Sequence, residues 1–230
     1  MSQVEPSVVT CPRCGAAWSA TCFTSLDADT IGVQVDAILD RTFEQQACAG
    51  CGHVFQPEHR MLFASHVRRL WIVMYPLADR ADFAALEESV ARSIAESFAQ
   101  ATPLVAERLR GVRPRLVFGQ HMLAEAVRAT LDGVDAAVLE CAKLLTVRRN
   151  LAQLMAHGPF ELCFEGFGDR GAPVCAIHAL PGGERQGELT LPTDILAEAQ
   201  GARAELQQRF PALFERPYIS ATRYLIGATL

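Results

Sequence analysis

Cys11-Pro12-Arg13-Cys14-Gly15 and Cys48-Ala49-Gly50-Cys51-Gly52 are the two stretches on which the reading of this chain turns. Each is a Cys-x-x-Cys-Gly unit. The two-residue spacer lets a tight turn aim both sulfurs at one point. The glycine that follows relieves crowding where the backbone turns and can adopt positive φ. Two such units supply four thiolates, the donor set of a tetrahedral zinc site with Zn–S distances of about 2.3 Å. Four thiolates leave no coordination position for a substrate, so Cys11, Cys14, Cys48 and Cys51 are expected to hold one structural Zn2+. An Fe–S cluster and a redox pair are the rival readings. Paired knuckles suit tetrahedral zinc best, and a redox Cys-x-x-Cys needs only one pair, at the start of a helix. Metal binding contributes roughly 10–16 kcal/mol in zinc-finger peptides, which would dominate the stability of a segment as small as 9–76.

Outward from the knuckles, periodicity assigns the neighbouring elements. The gap between Cys14 and Cys48 is long for paired knuckles. A helical pattern at 30–40 fills it, with Ile31, Val35, Ile38 and Leu39 on its apolar side and Asp27 or Asp29 as cap. Alternation predicts strands over 16–24, 53–55, 61–66 and 70–75, the last ended by Pro76. Trp18 and Trp71 are expected beside the metal. Residues 78–157 read as helical: 82–98, 121–131 and a long helix from Asp135 to Met155, with one short strand at 115–118. Residues 158–230 change texture. Strands at 160–166, 173–180 and 188–191 alternate with glycine-rich turns, and Thr193 caps a helix over 194–209 that Pro211 breaks. The expectation is an α+β protein in three segments: a zinc-ribbon-like β segment with an inserted helix (9–77), a helical middle (78–157) and a C-terminal sheet-plus-helix unit (158–230).

Composition narrows the function. The 230 residues are half apolar and carry a formal charge of -5, with a pI near 5.7. An acidic chain lacks the basic footprint of a bulk nucleic-acid binder or of a protein held on an anionic membrane. The start, Met-Ser-Gln-Val-Glu-Pro, shows no secretory pattern, and no run approaches the roughly 18 apolar residues of a membrane span. The chain is therefore expected in the cytoplasm, where close cysteine pairs are metal ligands more often than disulfides.

The knuckles and their surroundings resemble the CpXC family, named for its two Cys-Pro-x-Cys-like motifs. The first motif matches in full at Cys11-Pro12-Arg13-Cys14-Gly15. The second keeps its ligands but has Ala49 where the proline would stand. The likeness continues through Thr24-Ser25-Leu26-Asp27, Cys51-Gly52-His53-Val54-Phe55 and 70–76. It extends to Leu123-Ala124-Glu125-Ala126-Val127 and the helix at 135–143, so that it covers roughly residues 9–145. It implies a cytoplasmic zinc-ribbon-like bacterial or archaeal protein and brings no particular reaction with it.

Other constellations read as structural. His53, His59 and His66 follow the second knuckle but face a metal already filled by four thiolates, so surface or supporting roles are expected. Cys22, Cys141, Cys163 and Cys175 sit on apolar periodic faces, as core cysteines do. The arginines at 108, 110, 113, 115, 148 and 149 read as a solvated face paired with Glu107, Glu125 and Glu140. Glu87 and Glu88 diverge on their helix, and the glycines at 166–171 form a strand-to-strand turn with no Gly-Lys-Ser/Thr phosphate motif. No catalytic set emerges. A non-enzymatic module that binds another protein fits these features. A nucleic-acid-associated zinc protein using 108–115, and an enzyme whose site the sequence does not display, are the alternatives.

Overall fold

The computed structural model describes residues 2–103, 107, 110–154, 156 and 158–225. It is a mixed α+β protein that divides into two compact units, Met1–Leu123 and Ala124–Leu230.

The first unit is built on a five-stranded sheet. Its strands are β1 (Gln3–Thr10), β2 (Ala17–Asp27), β5 (Met61–Ser65), β6 (Leu70–Tyr75) and β7 (Arg113–Phe118), in the order β1-β2-β5-β6-β7. The pairs β1/β2 and β5/β6 are antiparallel hairpins, while β2/β5 and β6/β7 run parallel. A separate two-stranded ribbon pairs β3 (Gln46–Ala47) with β4 (Val54–Phe55). Alternation along β5 and β6 places Met61, Phe63, Ile72 and Met74 in a dry core, each 0% exposed. The helix expected between the knuckles is present as α1 (Val33–Leu39), but neither aspartate caps it; Gly32 holds the N-cap position without a side-chain bond. Asp29 instead caps the β5–β6 turn, accepting from the Ser65 hydroxyl (2.6 Å) and the His66 and Val67 amides (2.5 and 3.1 Å).

Strand β1 is an addition to the sequence reading. Pro6 and its polar neighbours mask the strand pattern, yet β1 lies at the sheet edge, where a missing N–H leaves the interior ladder intact. Trp71 departs from expectation. It lines a cavity of about 510 Å3 with Leu62, Val73 and the residues Val90 and Ile94 of α2 (Phe83–Ala99), away from the cysteines.

The division between units falls within α3 (Gly119–Leu131). In the second unit Asp135 caps α4 (Ala136–Arg149), its carboxylate accepting from the amides of Ala137 and Val138. The long helix ends at Asn150, and a separate turn α5 (Leu151–Leu154) follows; Met155 lies outside the described residues. Strands β8 (Phe160–Phe167), β9 (Pro173–Ala179) and β10 (Arg185–Thr190) form an antiparallel sheet in the order β10-β9-β8. The helix expected over 194–209 is two, α6 (Ile195–Gly201) and α7 (Arg203–Arg209). Pro211 does not merely stop helix; it occupies the first turn of α8 (Pro211–Glu215), where a missing N–H costs nothing. A last turn, α9, spans Thr222–Leu225. Leu162, Phe164, Ile177, Leu191, Ile195 and Leu213 belong to one buried cluster with the apolar face of α4.

Candidate metal centre

Each Cys-x-x-Cys-Gly unit is the turn of a β-hairpin, the first between β1 and β2, the second between β3 and β4. The two turns share one hydrogen-bond scheme. The Cys11 amide donates to the Ala16 carbonyl (2.8 Å) and Gly15 donates back to Cys11 (3.0 Å); Cys48 donates to His53 (2.9 Å) and Gly52 back to Cys48 (2.8 Å). Gly15 and Gly52 take φ of 73° and 69°. A Cβ at either glycine would meet nothing within 4 Å, so the glycine is required by backbone angle and not by crowding. Ala49 in place of a proline leaves the second turn with the same bonds as the first.

The two hairpins bring the four sulfurs within 4.8 Å of one another. Cys11 Sγ lies 3.7 Å from Cys51 Sγ, and Cys14 Sγ lies 3.6 Å from Cys48 Sγ. A disulfide requires about 2.05 Å. A tetrahedron of sulfurs about 2.3 Å from a central ion has edges of about 3.8 Å, which these contacts match. Within each knuckle the first cysteine is buried, while Cys14 is exposed and Cys51 half-buried.

Backbone amides point at the sulfurs and the sulfurs oppose one another. Burial pushes the Cys11 thiol up, but the amides of Cys14 and Arg13 and the thiols of Cys14 and Cys48 overcome it and bring it down to about 7. Cys51 receives the His53 amide, yet burial and the sulfurs of Cys14, Cys11 and Cys48 push it up to about 12. Cys14 receives the Ala16 amide and Cys51, and is nevertheless raised by Cys48, Cys11 and burial. Cys11 ionises readily, and Cys14 and Cys51 then resist. Only a shared cation lets all four be thiolates together, and this donor set fits a thiophilic divalent ion. Trp18 packs edge-on to Phe55 (6.0 Å), and His53 stacks against the same ring (6.0 Å, 7°).

The remaining sequence candidates fall into place. Cys22, Cys141, Cys163 and Cys175 are buried, and burial raises the pKa of each. Arg110 pairs with Glu107 (2.8 Å) and Arg149 with Glu198 (2.5 Å); Arg108 lies outside the described residues. Glu125 and Glu140 are not partners of that arginine face. Both are buried, at 4% and 2% exposure, and both bind the ammonium of Lys143, which is 1% exposed. The Phe164 amide donates to Glu125 and the Ala221 amide to Glu140 (2.6 Å each).

Sequence reasoning also passed over a second cluster in the first unit. Cys22, Glu44 and His59 bring a sulfur, a carboxylate oxygen and a ring nitrogen within 4.8 Å of one another. They are spread over β2, the loop after α1 and the segment before β5, and no spacing rule links them.

Comparison with known proteins finds one family, described as CpXC protein, matching residues 9–143. No curated protein and no solved structure matches the chain. No helix among the described residues is long and apolar enough to cross a membrane.

Proposed function

This chain belongs to the CpXC family, and from that premise we propose that Cys11, Cys14, Cys48 and Cys51 hold a structural zinc ion, and that the protein is a non-enzymatic module which binds another protein. The observation that carries the metal reading is the approach of four sulfurs from two matched hairpins to within 4.8 Å. A closed four-thiolate set supplies rigidity, since it has no position at which a substrate can be polarised. Apolar side chains beside the knuckles support the interaction reading: Val8 of the edge strand is 78% exposed and Val54 of the ribbon 50%. An edge strand with free backbone groups is a surface that partners extend.

Metal analysis of the purified full-length protein tests the first half. Loss of one zinc ion per chain in Cys48→Ser is the expected result; iron with visible absorption, or reversible thiol oxidation without metal, would replace this reading. For the second half, the tagged full-length protein is cross-linked in its native lysate. A discrete protein adduct lost in a Val8→Asp, Val54→Asp variant is expected. A chain that stays uncross-linked and monomeric overturns it.

A further inference from the structure

We infer that Cys22, Glu44 and His59 form a second metal site, distinct from the four-thiolate cluster, with one coordination position left for water or a ligand. The three residues present Sγ, a carboxylate oxygen and an imidazole nitrogen within 4.8 Å of one another, all in the first unit. Cys22 is 1% exposed, and the Glu44 and His59 side chains 6% and 16%.

The supporting bonds orient these groups as a metal shell is oriented. Metal-binding histidines donate their distal N–H to a carbonyl or carboxylate, which fixes the tautomer. His59 Nδ1 lies 3.2 Å from the Arg60 carbonyl, so Nδ1–H donates there and Nε2 points inward. Nε2 lies 2.6 Å from Glu44 Oε2, so that the protonated ring donates to the carboxylate. A proton bridges them at this distance, and a tetrahedral ion with bonds of about 2.0 Å would replace that proton and part the two atoms to about 3.3 Å. The other Glu44 oxygen accepts from the Phe23 amide (2.6 Å).

Glu44 reaches this point through a left-handed backbone, φ 53°, that non-glycine residues seldom adopt. The conformation is held by its neighbours. Phe43 is 1% exposed and packs on Phe23 (5.6 Å), and the Gln56 amide donates to the Phe43 carbonyl (2.9 Å). This backbone angle directs the carboxylate toward Cys22 and His59.

Charge balance favours a divalent ion. A thiolate and a carboxylate neutralise M2+, which suits a buried location. Starting from the thiol, the imidazolium and the carboxylate, binding releases two protons and leaves a neutral complex. Mixed S, N and O donors select zinc among common ions, and three protein ligands leave a fourth position open.

The test loads the full-length protein with Zn2+, removes excess by gel filtration and measures metal per chain. About two zinc ions are expected for the wild type, and about one for Cys22→Ser and for His59→Gln, with the four-thiolate Co2+ charge-transfer bands unchanged in both. One zinc in the wild type, or two retained in both variants, overturns the site. If either variant loses its fold by circular dichroism, Co2+ titration of the wild type decides. A second equivalent with the weak charge-transfer band of a single thiolate sustains the site, and saturation at one equivalent removes it.

Discussion

The cysteine cluster of the first unit and the Glu125–Lys143–Glu140 triad of the second pose one electrostatic problem and answer it differently. Both gather groups that repel when ionised. The triad carries its own cation, Lys143, whose ammonium both carboxylates hold in the core. The four cysteines have no such side chain among them, so ionising all four requires an ion from outside. The second unit should therefore fold on sequence alone, while the first should depend on metal. Both tryptophans, Trp18 and Trp71, lie in the first unit, so their fluorescence reports that unit separately.

The largest expected effect is at the knuckles. Cys48→Ser removes one of four ligands, and the cooperative tryptophan-detected melt should vanish, since structural zinc contributes roughly 10 kcal/mol or more. Cys163→Ala, in the other unit, should cost about 1 kcal/mol. Equal melts for the two variants would break the comparison. A strong chelator should likewise abolish the tryptophan transition while hydrogen exchange in α4 and β9 stays protected.

Next comes the triad. Lys143→Met strands two buried carboxyl groups and should destabilise the second unit by about 3–5 kcal/mol, read by denaturant unfolding. Restoring neutrality with Glu125→Gln and Glu140→Gln should recover most of that loss. A cost below about 1 kcal/mol for Lys143→Met would mean that the triad is not the charge anchor described.

Acidity gives a smaller effect of defined sign. Burial, together with Glu125, outweighs Lys143 and the Ala221 amide and pushes Glu140 up to about 7 from 4.5. The folded state therefore holds a proton that the unfolded state releases, so this residue's contribution falls as pH rises from about 4.5 to about 7. The second unit should be more stable at pH 5 than at pH 7.5, and Glu140→Gln should flatten the slope. A slope of opposite sign would place the proton elsewhere.

The smallest effect sharpens the likeness of the knuckles. Ala49 occupies the position of Pro12 in a turn with the same hydrogen bonds, and its amide donates to none of the turn's backbone bonds. Ala49→Pro should stabilise the protein by about 0.5 kcal/mol through the unfolded chain. Destabilisation in thermal melts would show that the two turns differ in backbone angle.

What could be read in advance follows the range of the interactions. The knuckles were legible because their bonds close within six residues and the residue types are demanded at fixed spacing. Strands β5 and β6 were legible by alternation. Strand β1 was not, since Pro6 breaks the local signal and only its place at the edge tolerates it. Met155 and Arg108 lie outside the described residues. The pairing of Glu125 and Glu140 with arginines was the natural reading of charged residues on helices, and burial reversed it.

By itself, the sequence determined the two cysteine turns, the mixed α+β class and the family, because each rests on chemistry confined to a few neighbouring positions. Tertiary structure alone decided that a lysine ammonium would bind two carboxyl groups in the core. It alone also brought Cys22, Glu44 and His59 together from three separate segments. Contacts between distant residues depend on how strands pair and helices pack, and that arrangement is set by burial of the whole chain rather than by any local spacing.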